Sequence, residues 1–494
     1  MTSGLSQLVD RFAGLRVVVI GDAMLDSYFD GDAERLCREA PVPVVNVRGR
    51  VDQPGGAANT AANLRALGAD VALLAVVGDD ADGLILRDSL ERRGVSAEFL
   101  ITEEGRGTLA KSRLSAAGHL LLRFDRGDTT PAAPAAEARL VARLQSLFRA
   151  CDALVISDYA YGVLTPAVID TIETLNAAYP RVVVADSRRL RAYKGVGLTA
   201  VKPNFEEAVG LLGPRRLEGP RGRVAAAEAH GGRLLDELNT RIACLTMDRD
   251  GALIFERGAP PYRTYAVPQP HTQATGAGDT FLSALAMALA AGGGGADAAE
   301  LAAAAAAVVV GRDGTAICGA AELREHVAAP GKYCAGVERL AERAAGYRSA
   351  GRRIVFANGC FDLIHRGHVA LLNRAKALGD VLVVGVNSDD GVRRLKGAGR
   401  PVNSLEDRVQ VLSALSSVDC VVPFDEDTPE RLIEALQPEI VVKGDDYTRD
   451  RIPEADLVER LGGRLVLLPA VEDVSTSDMI ARIREPLRER AVGE

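Results

Sequence analysis

Short continuous apolar runs recur along the chain, separated by stretches in which apolar residues return every three or four positions. The first series of runs covers residues 16–20, 71–77, 153–156, 182–185 and 242–246. Runs of this length, apolar at consecutive positions, suit strands buried on both faces, and the amphipathic stretches between them predict βαβ units around a parallel sheet. The rhythm pauses after about residue 320, where 337–350 (VERLAERAAGYRSA) reads as a charged helix. A second series then begins at 353–356 and continues through 381–386, 418–422, 440–442 and 465–468. The pattern therefore predicts a first domain over 1–330, a linker helix over 331–350 and a second domain over 351–494. No repeat of 20–50 residues relates the two, so they are different modules. Two runs, 281–291 and 301–310, are too short to cross a bilayer and read as buried helices. Residues 41–50 and 108–125 break the rhythm by alternating like exposed strands, which fits a small lid sheet over a site or an ordinary solvated hairpin.

Composition adds three constraints. At 494 residues, two or three domains are expected. The net charge of −8 supplies no global basic field, so neither nucleic acid nor an anionic membrane is an expected partner, although local basic pockets stay open. The 50 glycines follow no fixed period and direct attention to glycine loops. Seven scattered cysteines form no C-x-x-C pair, which fits a reduced, cytoplasmic setting better than a disulfide framework. The first residues lack the basic, apolar and cleavage segments of a secretion leader.

In the first domain the sharpest local signal is Thr275-Gly276-Ala277-Gly278-Asp279-Thr280, followed by an apolar helical run. Small residues ahead of a helix leave backbone N–H groups without intrahelical partners, and with the helix dipole these make an anion site. Such donors stabilise a phosphoryl group in flight, and a carboxylate at Asp279 can take the proton of an attacking hydroxyl. Taken alone, Asp279 reads equally well as a dipole-favoured first-turn residue. Other segments add weight. Gly55-Gly56-Ala57-Ala58-Asn59 is a second glycine turn entering a helix. Asp22 and Asp26 follow the first strand and suit hydrogen bonds from sugar hydroxyls. Asn204 and Glu207 (in KPNFEE) offer oxygens to Mg²⁺ or its water shell, and the turn from Thr246 to Gly251 could hold nucleotide phosphates.

The order GD, GGAAN, KPNxxE, TxxxxG and TGAGDT resembles the ribokinase-type sugar kinase family over about residues 14–325. The resemblance implies an α/β/α domain with a small β lid, binding of ATP and Mg²⁺, and γ-phosphoryl transfer to a sugar hydroxyl. It makes Asp279 the catalytic base and Gly276, Ala277 and Gly278 the anion hole, with Asn204 and Glu207 serving Mg²⁺ and phosphate. It also implies dimers through the lid. One departure stands out. The family carries an Asp two or three positions before TGAGD, where this chain has His271-Thr272-Gln273-Ala274; Gln273 supplies no charge, which leaves room for a weakened kinase or a non-catalytic binding module.

In the second domain, Asn358-Gly359-Cys360-Phe361-Asp362-Leu363-Ile364-His365-Arg366-Gly367-His368 follows a strand and opens a helix. His365 and His368, three apart, can face one side of a helix start, with Gly367 allowing a ligand close. Two imidazoles there can hydrogen-bond phosphate oxygens; a zinc site fits less well, because no carboxylate or cysteine has ligand spacing with them. Lys396, in RRLKG, adds a cation, and Ser475, Thr476 and Ser477 place three hydroxyls at a late helix start, where they can cap it or hold phosphate. These segments resemble the HxGH nucleotidyltransferases of the cytidylyltransferase-like superfamily over about residues 350–485. The resemblance implies a Rossmann-like parallel sheet and attack of a substrate phosphate on the α-phosphorus of a nucleoside triphosphate, releasing pyrophosphate. His365, His368, Lys396 and Ser475–Ser477 would hold the phosphates, and Asp362 would position substrate or nucleotide.

The two together resemble the bifunctional heptose 7-phosphate kinase and heptose 1-phosphate adenylyltransferase family, which Glu39-Ala40-Pro41-Val42-Pro43-Val44-Val45 also supports. That resemblance implies ADP-heptose synthesis, with a separate phosphatase acting between the two steps. The sugar 7-phosphate would need cations, for which Lys111, Arg113 and Arg123 in the lid segment are candidates. A different sugar kinase fused to a glycerol-3-phosphate-type cytidylyltransferase remains the alternative, since sequence does not firmly separate ATP from CTP.

Overall fold

The computed structural model describes every residue except 1–3, 214–216, 218–221, 267–274, 313, 329–331, 335, 445–448 and 470–494. The chain divides into two units, one over Gln7–His326 and one from Val327 onward.

The first unit is built on nine strands in the order Tyr262–Thr264, Ala252–Glu256, Ile242–Thr246, Ala200–Val201, Val182–Ser187, Ala153–Asp158, Arg16–Gly21, Asp70–Gly78, Leu100–Glu103. The last seven run parallel; the first two are added antiparallel at one edge. Ala153–Asp158 is buried along its whole length, as a continuous apolar run requires of a strand covered on both faces. Val18 and Ile20 pack with Leu140, Leu144 and Ile172 of the helices Pro134–Phe148 and Pro166–Ala178. The other face carries helices Ala57–Ala66 and Ala277–Ala290, which pack on each other and bring their N-termini together. Strands Leu100–Glu103, Ala200–Val201 and Tyr262–Thr264 carry too few residues to show a period in the sequence.

A separate four-stranded sheet orders Pro43–Gly56, Ala23–Leu36, Ala110–Ala116 and His119–Arg126, its outer pairs antiparallel and its central pair parallel. Residues 41–50 and 108–125 thus belong to a lid sheet and not to one isolated hairpin. Its longest inner strand, Ala23–Leu36, was not expected. It carries charges on one face and mixed residues on the other, so the apolar signal of a core strand is missing.

The second unit has five parallel strands in the order Cys420–Phe424, Val381–Asn387, Ile354–Gly359, Ile440–Gly444, Arg464–Leu468. Phe356 and Val383 face one core while Val355 and Val384 face a second, so helices cover both sides. The helix Val337–Ser349, expected as a linker, is part of this unit: Leu340 and Ala344 are fully buried against Phe356, Leu432 and Leu436. Its charges mask the narrow apolar stripe that anchors it. The described cysteines are all free thiols, and no described helix is long and apolar enough to cross a membrane.

Candidate active sites

In the first unit the sequence TGAGDT builds a helix start. Gly276 is the N-cap at φ +85°, a left-handed conformation that only glycine adopts freely, and a Cβ there would lie 2.8 Å from the Asn59 amide nitrogen. Asp279 falls in the first turn and is 6% exposed. Asn59, from the other helix start, donates its amide N–H to Oδ2 at 2.9 Å, and Tyr159 donates its hydroxyl to Oδ1 at 3.1 Å. Burial, reinforced by the charge of Asp186, pushes the Asp279 carboxyl up to about 6; Asn59, Lys202 and Tyr159 pull the other way. The result is a carboxylate ionised at neutral pH yet basic enough to take a proton. Asn63, one turn on from Asn59, accepts from the Thr280 hydroxyl at 2.9 Å and donates to the Asn59 backbone carbonyl, which fixes the two helix starts against each other.

Two partners of this site were not singled out from sequence. Lys202 is buried, paired with Asp186 at 2.9 Å, and its ammonium lies 3.6 Å from where a Gly278 Cβ would stand. Burial alone would lower it, but Asp186 outweighs burial and holds it above its ordinary value. A permanent cation therefore sits beside the backbone of Gly276, Ala277 and Gly278. Its signals in the sequence were its place at the head of KPNFEE and its rarity, as one of only seven lysines. Tyr159 had no local signal.

Several expected ligands turn out to be engaged in the fold. Asp22 is fully buried and accepts backbone N–H bonds from Tyr159, Tyr161 and Val163, so it shapes the loop under the site and has no free face for a sugar hydroxyl. Asn204 caps the helix Phe205–Leu212 and forms a reciprocal capping box with Glu207, at 2.8 and 2.9 Å. That consumes the Asn204 carbonyl oxygen and one Glu207 oxygen. Burial raises the Glu207 carboxyl, whose second oxygen stays available. Thr246 bridges to Asn204 beside it, and Gly251 closes the hairpin to Ala252–Glu256 at φ +81°.

The lid contributes one face to this site. Asp26, Lys111 and Asp125 share a register row, as do Tyr28, Arg113 and Arg123. Gly55 lies against Asp26, where a Cβ would come within 2.3 Å of its carboxylate, and Gly56 turns the chain at φ +56° into the helix of Asn59. Arg113 is already paired with Asp26 and Arg123 with Asp125, both at 2.7 Å, so neither brings a free charge to a sugar phosphate. Lys111 forms no ion pair among the described residues. Gln273 lies outside the described residues.

In the second unit His365 is the N-cap of helix Arg366–Lys376, its Nδ1 accepting from the Gly367 N–H at 3.2 Å. The two imidazoles lie with centroids 3.9 Å apart, and Phe361, at φ +47°, sets its ring edge-on to His368 at 5.4 Å. Burial, then the neighbouring His365, pushes His368 down to about 4, and burial lowers His365, so both are neutral at pH 7. Nδ1 of His368 is buried with no partner among the described residues. Gly359 ends the strand beneath, and Asn358 accepts from Lys443 at 2.8 Å. Lys396 ends helix Asp389–Lys396, exposed and without an ion pair among the described residues. Asp362 departs from expectation: fully buried, it accepts from Arg400, Val402 and Asn403 and clamps that loop, leaving substrate positioning to others. Ser475, Thr476 and Ser477 lie outside the described residues.

Comparison with known proteins assigns a family to each part of the chain. Residues 15–322 match the pfkB family carbohydrate kinases, and residues 356–482 match the cytidylyltransferase-like family. The bifunctional protein HldE of Caulobacter vibrioides is 40% identical over 98% of this chain and 100% of its own. That of Desulfatibacillum aliphaticivorans is 36% identical over 96% and 97%. Among solved structures, Escherichia coli phosphofructokinase-2 in complex with potassium aligns over 63% of this chain and 97% of its own, at 20% identity and TM-score 0.53. Arabidopsis thaliana ribokinase complexed with ribose and ATP aligns over 63% and 98%, at 17% identity and TM-score 0.50. These last two give the fold of the sugar kinase part. A carbohydrate kinase and a nucleotidyltransferase thus share one chain, matched from end to end by proteins that unite the same two parts, and the chain belongs to the family of HldE bifunctional proteins.

Proposed function

We propose that the first unit phosphorylates D-glycero-β-D-manno-heptose 7-phosphate at C1 with ATP, and that the second joins the resulting heptose 1-phosphate to AMP from ATP. The products are heptose 1,7-bisphosphate with ADP, then ADP-heptose with pyrophosphate; a separate phosphatase removes the 7-phosphate in between. The observation that carries this reading is the match of the whole chain to HldE proteins, with a buried carboxylate and a histidine pair at the two helix starts.

At the first centre Asp279 takes the C1 hydroxyl proton as the sugar oxygen attacks the γ-phosphorus. Backbone N–H groups of Gly276, Ala277 and Gly278, with Lys202, face the charge spread over the transferring oxygens. The chemistry of the donor set fits Mg²⁺ held mainly by water and phosphate, with Glu207 as the protein carboxylate, and Asn204 acting through its cap. When bound, Mg²⁺ supplies charge neutralisation on the nucleotide phosphates. At the second centre a phosphate oxygen of the sugar attacks the α-phosphorus and the bond to pyrophosphate breaks. His365 and His368 donate N–H bonds to the phosphates, and Lys396 supplies the free cation. Free thiols fit a reducing, cytoplasmic setting.

The lid leaves Leu36, Val42, Val47, Leu120 and Leu122 exposed, and we assign this apolar surface to a second copy of the chain. Light scattering of Leu122→Asp should then report a monomer where the unchanged chain gives a dimer.

The test is full-length protein with heptose 7-phosphate, ATP, Mg²⁺ and a phosphatase, read by mass. ADP-heptose is expected. Its absence, or pyrophosphate release from heptose 1-phosphate only with CTP, overturns the assignment.

A further inference from the structure

The lid arginines expected to meet the sugar phosphate are neutralised in place, which leaves the question of what does meet it. Two cations near Asp279 have no ion pair among the described residues. Lys111 lies on the lid strand Ala110–Ala116, and Arg188 follows the strand Val182–Ser187 of the nine-stranded sheet. They come from different sheets yet converge on the same two rings. Tyr159 and Tyr161 stack with centroids 6.2 Å apart. The Lys111 ammonium lies 5.0 and 5.5 Å from their centroids, and the Arg188 guanidinium 5.8 and 5.7 Å.

Four facing charges cancel in pairs. Asp26 is bound by Arg113, and Asp125 by Arg123. Arg189 beside Arg188 is bound to Asp158, and Glu207, which shares an open groove with Arg188, makes no ion pair with it. What remains is two like charges that share one pair of aromatic rings. Burial lowers the Lys111 ammonium; Arg123 and then Arg188 add to this, against the pull of Asp26 and Asp125. Both cations meet the same two rings without a carboxylate partner, so an anion that reached both would be attracted by each, and cation–π contact with tyrosine supplies only part of that attraction.

Tyr159 also fixes where such an anion would sit. Its hydroxyl is on Asp279 and its ring is under the cations. A ligand whose reacting hydroxyl meets Asp279 therefore carries its far end over this ring. Resting on the kinase reading above, we infer that Lys111 and Arg188 form the cradle for the phosphate already present on the sugar substrate, and that this cradle selects phosphorylated sugars. An anion held there ties the lid to the nine-stranded sheet, so the substrate's own phosphate helps to shut the site over the reacting hydroxyl.

The experiment compares the full chain with Arg188→Gln and Lys111→Gln. Calorimetric binding of heptose 7-phosphate is measured beside KM for heptose 7-phosphate, for unphosphorylated heptose and for ATP. Each variant should weaken binding of the 7-phosphate and raise its KM at least about tenfold, as expected for lost hydrogen bonds between charged groups. KM for unphosphorylated heptose and for ATP should stay within about twofold, and Arg188→Lys should recover part of the loss. Adenylyl transfer by the second unit, with circular dichroism, reports that each variant is folded. Unchanged 7-phosphate affinity in both variants overturns the cradle whatever the turnover. An equal rise in KM for ATP also overturns it, by placing Arg188 on the transferred phosphoryl group. Binding that is lost in the variants, without wild-type turnover, supports the cradle and overturns the kinase reading. Absence of wild-type binding overturns both.

Discussion

At the first centre the opening turn of a helix carries a carboxylate; at the second it carries two imidazoles. Both helix starts follow a glycine-bearing turn. The surroundings differ. Asp279 is enclosed by Asn59, Tyr159, Lys202 and Asp186, residues drawn from four separate segments. His365 and His368 are held mostly by their own turn and by Phe361. The proposed roles explain the contrast. A hydroxyl nucleophile must lose a proton, so its base needs a tuned affinity, and tuning takes charges placed from a distance. A phosphate nucleophile arrives ionised, so the second centre needs donors and no base, and a short local motif suffices.

The largest expected effect tests that division directly. Asp279→Asn should lower sugar phosphorylation on the order of 10²–10⁴-fold, with adenylyl transfer unchanged, in coupled assays of each step. A base elsewhere would leave phosphorylation intact.

Next is the converse. His368→Ala should lower adenylyl transfer on the order of 10²–10³-fold, the usual effect of removing a transition-state donor, and leave the kinase untouched. A parallel fall in both activities would mean that the two centres are not separable.

The pH profiles should then diverge. With Asp279 at about 6, kcat/KM of phosphorylation should fall with slope one as pH drops below about 6. His368, held at about 4, stays neutral over that range and adds no such limb to adenylyl transfer, whose acid side is left to the sugar phosphate's own second ionisation. Tyr159→Phe removes a hydroxyl that favours the ionised carboxylate and should move the kinase limb to higher pH. A limb that does not move would remove Tyr159 from the tuning.

The smallest effect is on stability. Asp279 binds its proton more tightly in the folded chain than in the unfolded one, so the folded state loses stability as pH rises from about 4 through about 6. Asp279→Asn escapes that loss. It should be more stable than the unchanged chain at pH 8, by on the order of 1–3 kcal/mol, and the difference should shrink at pH 5 in thermal unfolding. A constant difference would mean the carboxyl is not perturbed.

The same contrast decides what could be read in advance. TGAGDT and HRGH are local, so the glycine-started helix, its first-turn carboxylate and the histidine pair were visible as residues. Strand runs such as 153–156 were visible because both faces are buried. The tuning of Asp279 was not: Asn59 lies 220 positions away, and nothing in either segment names the other. Acidic residues were the most misleading. Asp22 and Asp362 follow strands at the ends where ligands bind, yet each turns inward to hold a loop by its backbone N–H groups. Asn204 and Glu207 have the spacing of a capping box as well as that of an ion site, and the box is what forms. Sequence shows where an oxygen is available, while packing decides which side of the loop it serves.

The parallel register at the centre of the lid has a topological consequence. Leu25 pairs with Ala110, and between them the chain runs out through a helix, a strand of the main sheet, a second helix and the edge strand Leu100–Glu103. The lid is therefore two hairpins spliced into the body at separate places, and no single cut removes it. A contact of such long sequence separation closes only after the intervening chain has been ordered, so the body must assemble before its cover can. For an engineer this means that lid specificity cannot be transplanted as a cassette: both hairpins and the frame that sets their register have to move together.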